Sequence, residues 1–139
     1  MSIKTSKEIE RDMRKLLLAS PVASAVSGSV YFPTYRPRDS KLEDITVKFM
    51  SGRTEQMQKG VVSVKIYVPD IDPYGNGVMV ENGARTEELQ RIVQDWLDSN
   101  PAAKTNYLLE LHETISVTEY EEIQQHAVSV MLDYTLFNE

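Results

Sequence analysis

The sequence contains no cysteine among its 139 residues. This absence excludes a disulfide framework, a thiol nucleophile and any zinc site that needs cysteine ligands. Long apolar runs are also missing, since no segment reaches the roughly 20 apolar residues that a membrane-spanning helix needs. The first residues, MSIKTSKEIERDM, lack the apolar stretch of a secretory signal. We therefore expect a cytoplasmic protein with no membrane partner.

Phosphate-binding and nucleophile motifs are absent as well. The sequence has neither a G-x-x-x-x-G-K-[ST] loop nor a G-x-S-x-G turn. Its net charge of −6 argues against specific nucleic-acid binding, which needs a concentrated basic surface. We expect no catalytic residues, no bound metal and no cofactor, and hence a protein that is not an enzyme.

Charge is distributed unevenly along the chain. Residues 1–68 contain 12 Lys or Arg and 7 Asp or Glu, whereas residues 69–139 contain 3 and 14. If the two halves interleave in the fold, these charges partly neutralise each other. If they do not, one basic and one acidic face would favour head-to-tail association between copies.

Two segments have the periodicity of amphipathic helices. Thr5 and Glu8 have the spacing of a capping box, and an apolar stripe follows them and ends before Pro21. Thr86 is the predicted cap of the second helix, which ends near residue 100. The two apolar stripes consist of Ile9, Met13, Leu16 and Leu17, and of Leu89, Ile92, Val93, Trp96 and Leu97. Trp96 is therefore predicted to lie in the core.

Strand-like alternation predicts the rest of the fold. Residues 51–60, which include Gly52 and Gly60, are predicted to form a long polar hairpin loop. The predicted strands cover residues 26–32, 43–50, 62–68, 107–117 and 128–136. The order α-β-β-β-α-β-β predicts one α+β domain over residues 1–139, with a mostly antiparallel sheet of about five strands and helices packed on one face.

One segment has the spacing of a calcium-binding loop. Asp70, Asp72, Gly75 and Glu81 match D-x-[DN]-x-[DN]-G-x₅-E, but Tyr74 stands where a ligand is required. The loop also follows a strand and not a helix. We therefore interpret residues 69–83 as an acidic, turn-rich surface connection. A calcium-dependent protein or a hydrolase remains a third alternative.

The histidines and the 31–38 segment allow more than one interpretation. His112 and His126 lie on separate predicted strands, where a sheet surface is the simpler interpretation than a metal pair or a general base. Aromatic and basic residues mix at Tyr31, Phe32 and Tyr35 to Arg38. Such a mixture is compatible with base stacking on nucleic acid, with a protein interface or with a plain surface loop. The net negative charge of the chain favours a protein partner over a nucleic-acid partner.

The layout resembles the tail-terminator and tail-completion proteins of long-tailed bacteriophages. Three stretches carry the resemblance: GVVSVKIYVP at 60–69, RTEELQRIVQDWL at 85–97 and HAVSVMLDY at 126–134. It implies a virion protein, assembled in the host cytoplasm, whose copies form a ring, often of six, on the tail tube. The implied partners are copies of itself, the tail-tube protein and the head connector. The alternative is an acidic monomeric or dimeric adaptor or inhibitor that binds a basic protein.

Charged loop residues are the candidate interface in either case. We expect the basic loops 33–41 and 51–60 to contact an acidic surface of a neighbouring subunit or partner. Acidic residues 119–122 are predicted to form a turn. The candidate interface residues are Tyr35, Arg36, Arg38, Lys41, Arg53, Lys59, Glu119, Glu121 and Glu122.

Overall fold

The computed structural model describes residues 3–137. Its elements are helices α1 (Ser6–Leu18), α2 (Pro21–Ala25) and α3 (Gly83–Asp98), and strands β1 (Val30–Tyr31), β2 (Ile45–Thr54), β3 (Gln58–Pro69), β4 (Tyr107–Leu111), β5 (Ser116–Tyr120) and β6 (Gln125–Leu136). A short 3-10 turn covers Glu121–Ile123. The predicted α+β class is confirmed.

Six strands form one mixed sheet in the order β1-β2-β3-β6-β4, and β5 also pairs with β6. Among the strand pairs within residues 3–137, β1–β2 is parallel and the others are antiparallel. β4 and β5 pair with different halves of β6. The prediction of one continuous strand over residues 107–117 is therefore wrong, because the segment forms two separate strands. Leu111 is opposite Leu132, and Ser116 is opposite Ser129. The four residues 112–115 therefore lie opposite only the two residues 130–131 of β6, and the chain bulges out of the ladder there.

The helices cover one face of this sheet. Alternate residues of β2, β3 and β6 point into the core, where they meet the apolar stripes of α1 and α3. The predicted stripes are confirmed, because Ile9, Met13, Leu89 and Trp96 are all buried. The other buried members of this core are Leu17, Val22, Val30, Ile45, Val47, Val62, Val64, Ile66, Val68, Val93, Ala102, Tyr107, Val128, Val130, Leu132, Tyr134 and Leu136.

The helix starts follow from their capping side chains. The capping box of α1 is confirmed, since Thr5 and Glu8 each accept the other's backbone N–H. The hydrogen bond from the Thr5 backbone lowers the pKa of Glu8. Thr86 is wrong as the cap of α3. Asn82 occupies that position and accepts the N–H of Arg85, while the buried Thr86 hydroxyl donates to Glu81.

The strand predicted at residues 26–32 is reduced to Val30–Tyr31. Gly28 explains the loss, because its N–H donates to the carbonyl of Glu43 and a Cβ there would lie 1.9 Å from the Asp44 carboxylate. The segment before it contains α2, which the sequence interpretation missed. Ser20 caps this helix at the N–H of Ala23, and Pro21 takes the first turn.

The hairpin loop predicted at residues 51–60 is also wrong. β2 runs to Thr54 and β3 starts at Gln58, so the turn between them consists of the three residues 55–57. Gly52 pairs with Gly60 across the hairpin, and a Cβ on Gly60 would lie 2.1 Å from the Ser51 carbonyl oxygen and 2.7 Å from the Tyr134 ring. These glycines therefore make room for backbone and a core aromatic ring.

Candidate protein interface

Strand β3 separates two ends of the molecule. It has 12 residues, which corresponds to about 36 Å of extended chain. Gln58 pairs with Leu136 at one end, and Pro69 pairs with Gln125 at the other. We call these the hairpin end and the arm end. The arm is residues 70–82, which connect β3 to α3.

Apolar side chains of the arm are exposed. Tyr74 is 83% exposed and Val78 58%, and Ile71 and Val80 are also exposed. None of the four belongs to the core, and residues 71–78 are exposed without interruption. The arm therefore presents apolar surface that its own subunit does not bury, which is a common mark of a contact surface.

The arm has a defined backbone conformation. Ile71 and Val80 exchange both backbone hydrogen bonds, at 2.8 and 2.9 Å. At the tip, the Asp72 carboxylate accepts the N–H groups of Asn76 and Gly77 at 3.1 and 2.9 Å. Gly75 and Gly77 adopt positive φ angles that suit glycine. An ordered arm loses little conformational entropy when it binds a partner.

These contacts engage the residues of the calcium-like motif. Asp72 holds the arm tip, and Glu81 accepts the Thr86 hydroxyl at 2.7 Å. Asp70 contacts Nδ1 of His126 at 2.7 Å. Within residues 3–137, no group of three or more His, Asp or Glu side chains is arranged to hold a metal ion.

Each histidine contacts a carboxylate. His126 lies at the base of the arm, with Asp70 on one side and Glu119 Oε2 3.9 Å from Nε2 on the other. His112 contacts Asp133 near the middle of the sheet edge, and both side chains are half exposed. The structure does not bring the two histidines together, so they form no metal pair. His126 joins the arm to β5 and β6.

The acidic residues 119–122 also lie at the arm end. Glu119 belongs to β5 and pairs with His126 across the sheet, while Glu121 and Glu122 lie in the 3-10 turn. All three side chains are exposed. The predicted turn is therefore shorter than residues 119–122, but it lies beside the base of the arm, where the Asp70 N–H donates to the carbonyl of Gln124 at 3.0 Å.

The hairpin end carries basic residues. Arg53 and Lys59 are exposed and lie directly opposite each other on β2 and β3. Arg53 also contacts Glu55, at 3.6 Å, which is an exposed pair of small energetic value. Near this end Lys4 contacts Gln58 and pairs with Asp12 at 2.5 Å, and Lys15 lies in the neighbourhood of Leu136.

Residues 36–41 lie at the arm end, where Arg36 and Ser40 contact Gln125, so the structure does not bring them together with loop 51–60. Residues 33–35 border Lys7, Glu10 and Arg11 of α1. Tyr35, Arg38 and Lys41 are exposed, and Lys41 borders a shallow hollow with Asp70 and Ile71. A shared acidic contact for Lys41 and loop 51–60 would therefore have to extend along the length of the sheet.

Arg36 is not a free loop charge, contrary to the sequence interpretation. Its side chain is 10% exposed, and its Nε donates to Asp44, whose side chain is 1% exposed, at 2.9 Å. The guanidinium also donates to Gln125 at 2.9 Å and stacks 4.1 Å from the centre of the Tyr67 ring. Arg36 closes the core at this end and belongs to the fold, because its Nε and Nη2 donors already bind groups of its own chain.

An apolar groove runs along α1. Its volume is about 320 Å³. Its walls include Leu16, Ala19, Tyr107 and Leu136, and its other lining residues are Lys4, Asp12, Lys15, Thr105 and Asn106. The side-chain amide of Gln58 clamps one end by donating to the carbonyl of Lys4 at 2.9 Å and accepting its N–H at 2.8 Å. This groove therefore begins at the hairpin end.

Tyr107 forms part of the groove wall. Its hydroxyl donates to Asp12 Oδ2 at 2.6 Å, and Lys4 Nζ lies 5.7 Å from the ring centre. Burial, followed by the contact with Asp12, raises the pKa of Tyr107 well above the ordinary tyrosine value of 10.0. Burial likewise raises the pKa of Tyr134.

We expect stability to fall as the pH rises above about 10, and Tyr107→Phe to make this decline shallower. Below that pH the phenol is neutral in both states. Above it the unfolded chain ionises first, because the folded-state pKa is raised, so the free energy of unfolding decreases. Urea denaturation of both proteins between pH 8 and 11 measures the two slopes. Parallel slopes would show that Tyr107 ionises as easily in the folded protein.

Sequence reasoning missed the arm side chains Ile71, Tyr74 and Val78. Their segment contains glycine, asparagine and proline, which indicate turns. Apolar residues that fit neither a helical nor a strand period were the available signal. Among the helices described within residues 3–137, none has the length and apolarity to span a bilayer. The sequence matches no protein-family model and no curated protein.

Proposed function

We propose that this chain is a tail-terminator or tail-completion protein of a bacteriophage or prophage. Its copies form a ring at the end of the tail tube and join the tube to the head. The proposal assigns it a structural role in the virion, without catalysis or a cofactor. Tail-tube and head-connector proteins are its partners, and its surface is used for neither nucleic acid nor membrane.

One observation supports this proposal most strongly: the two ends of the sheet carry different surfaces. The arm end has the exposed apolar residues of the arm, with acidic residues and also Arg38 and Lys41 around them, and the hairpin end has Arg53 and Lys59 with Glu55. A contact between unlike surfaces repeats from subunit to subunit and closes into a ring when the rotation allows. The α+β layout also agrees with the resemblance in the sequence.

The experiment reverses the hairpin charges in the phage or prophage that encodes the chain. We expect Arg53→Glu with Lys59→Glu to remain folded, because both side chains are exposed, but to leave tails of irregular length without heads. Electron microscopy of the particles and circular dichroism of the purified variant measure these outcomes.

A matched control reverses two charges that are also exposed but lie elsewhere, Lys48→Glu with Arg91→Glu. It changes net charge by the same amount and should leave the tails normal. Normal tails in particles that lack the protein altogether would contradict the proposed function. An effect restricted to binding another basic protein would support the adaptor alternative.

A further inference from the structure

The arm and the groove along α1 lie at opposite ends of the subunit. β3 leads from the Gln58 clamp beside the groove to Pro69 at the arm. α3 runs back from Asn82 at the arm to the segment that supplies Thr105 and Asn106 to the groove. It has 16 residues, or about 24 Å of helix. A subunit therefore cannot place its own arm in its own groove.

The two surfaces are complementary in chemistry. The arm contains Asp70, Asp72 and Glu81 and no Lys or Arg between them. The groove has apolar walls at Leu16 and Leu136. Its charged lining residues are Lys4, Lys15 and Asp12, and Asp12 pairs with Lys4 at 2.5 Å. An apolar segment with negative charge thus complements an apolar groove whose charged lining residues, two lysines and one aspartate, leave a net positive charge, and this favours correct orientation.

We propose that the arm of each copy binds in the α1 groove of the next copy. This inference depends on the ring assembly proposed above and assigns its contact. Tyr74, at the arm tip, is the principal side chain inserted, because it has the largest exposed fraction of the large apolar residues. Interfaces concentrate their binding energy in a few central residues of this kind, tyrosine prominent among them. The arm's own hydrogen bonds hold Tyr74 ready for insertion.

The absence of native cysteine allows a direct test by cross-linking. One chain carries Val78→Cys on the arm, and a second, longer by an affinity tag, carries Ala19→Cys in the groove. Mixed at up to roughly 1 mM, a concentration that detects even weak contacts, they are treated with a short bismaleimide. We expect a covalent heterodimer that predominates over both homodimers.

The matched control pairs Val78→Cys with Thr114→Cys, which is exposed in the β4–β5 connection. This pair should give no more heterodimer than random collision. A yield equal to that of the groove pair would overturn the arm–groove contact, as would a predominant Val78–Val78 product, which indicates a symmetric pairing. Failure to cross-link at millimolar concentration would overturn it as well.

A second measurement identifies the inserted side chain. Tyr74→Ala should lower the yield of the arm–groove product at least about tenfold. Tyr35→Ala should leave the yield unchanged, although Tyr35 is 72% exposed. The reverse result would place the contact on loop 33–41.

The proposed function and this contact fail differently. Rings or capped tails that form without the arm–groove cross-link would overturn the contact and leave the function standing. A strong cross-link together with normal tails in particles lacking the protein would overturn the function and retain the contact.

Discussion

Replacing Arg36 with glutamate is expected to lower the free energy of unfolding by about 3–5 kcal/mol. Asp44 is buried beneath Arg36, and the substitution places a second carboxylate beside it. The donations to Gln125 and to the Leu42 carbonyl are lost at the same time. Since a domain is stable by only about 5–15 kcal/mol, the variant would lose a large share of its stability. Urea denaturation followed by circular dichroism measures the change.

Arg38→Glu is the matched control, because it makes the same charge reversal two residues away on an exposed side chain. Its free energy of unfolding should stay within about 0.5 kcal/mol of the wild type. Arg36→Lys should fall between the two, since lysine keeps the charge but loses the planar set of donors. Equal stability of Arg36→Glu and Arg38→Glu would show that Arg36 is available at the surface.

Local periodicity predicted the parts of the fold that depend on neighbouring residues. The stripe of Ile9, Met13 and Leu17 is buried because residues three to four apart share one face of a helix. Alternation along β3 and β6 placed their inward residues correctly for the same reason, since successive strand residues point to opposite faces. These patterns require no knowledge of the partner element.

Errors arose where a distant residue decides the local structure. Gly52 and Gly60 resemble loop glycines, but they pair within a hairpin, and Tyr134 packs over them. Arg36 lies in a loop rich in proline and charge, yet its burial depends on Asp44 and on Gln125, 89 residues away. Such pairings require the register of the sheet, which local patterns do not provide.

The candidate interface was likewise predictable in its local features and not in its long-range arrangement. Charge totals indicated a basic first half and an acidic second half. The fold then places Arg53 and Lys59 at one end, and residues 36–41 with Glu121 and Glu122 at the other. Sequence composition thus identified the charged residues, while strand register determined which of them share a surface. The arm was missed because exposure of an apolar residue is a property of the folded chain.

Trp96→Ala is expected to cost about 3–5 kcal/mol of folding free energy. Trp96 lies in the last turns of α3, is 8% exposed and belongs to the core that α3 forms with the sheet. Truncation leaves a cavity, because neighbours held in the β6 ladder cannot collapse to fill it. The denaturant midpoint should be followed by circular dichroism, since the substitution removes the only tryptophan.

Glu87→Ala, exposed on the same helix, is the matched control and should change stability by less than about 0.5 kcal/mol. Trp96→Phe should retain part of the lost stability, since it fills part of the cavity. A midpoint for Trp96→Ala equal to that of Glu87→Ala would show that α3 does not anchor the core through this side chain.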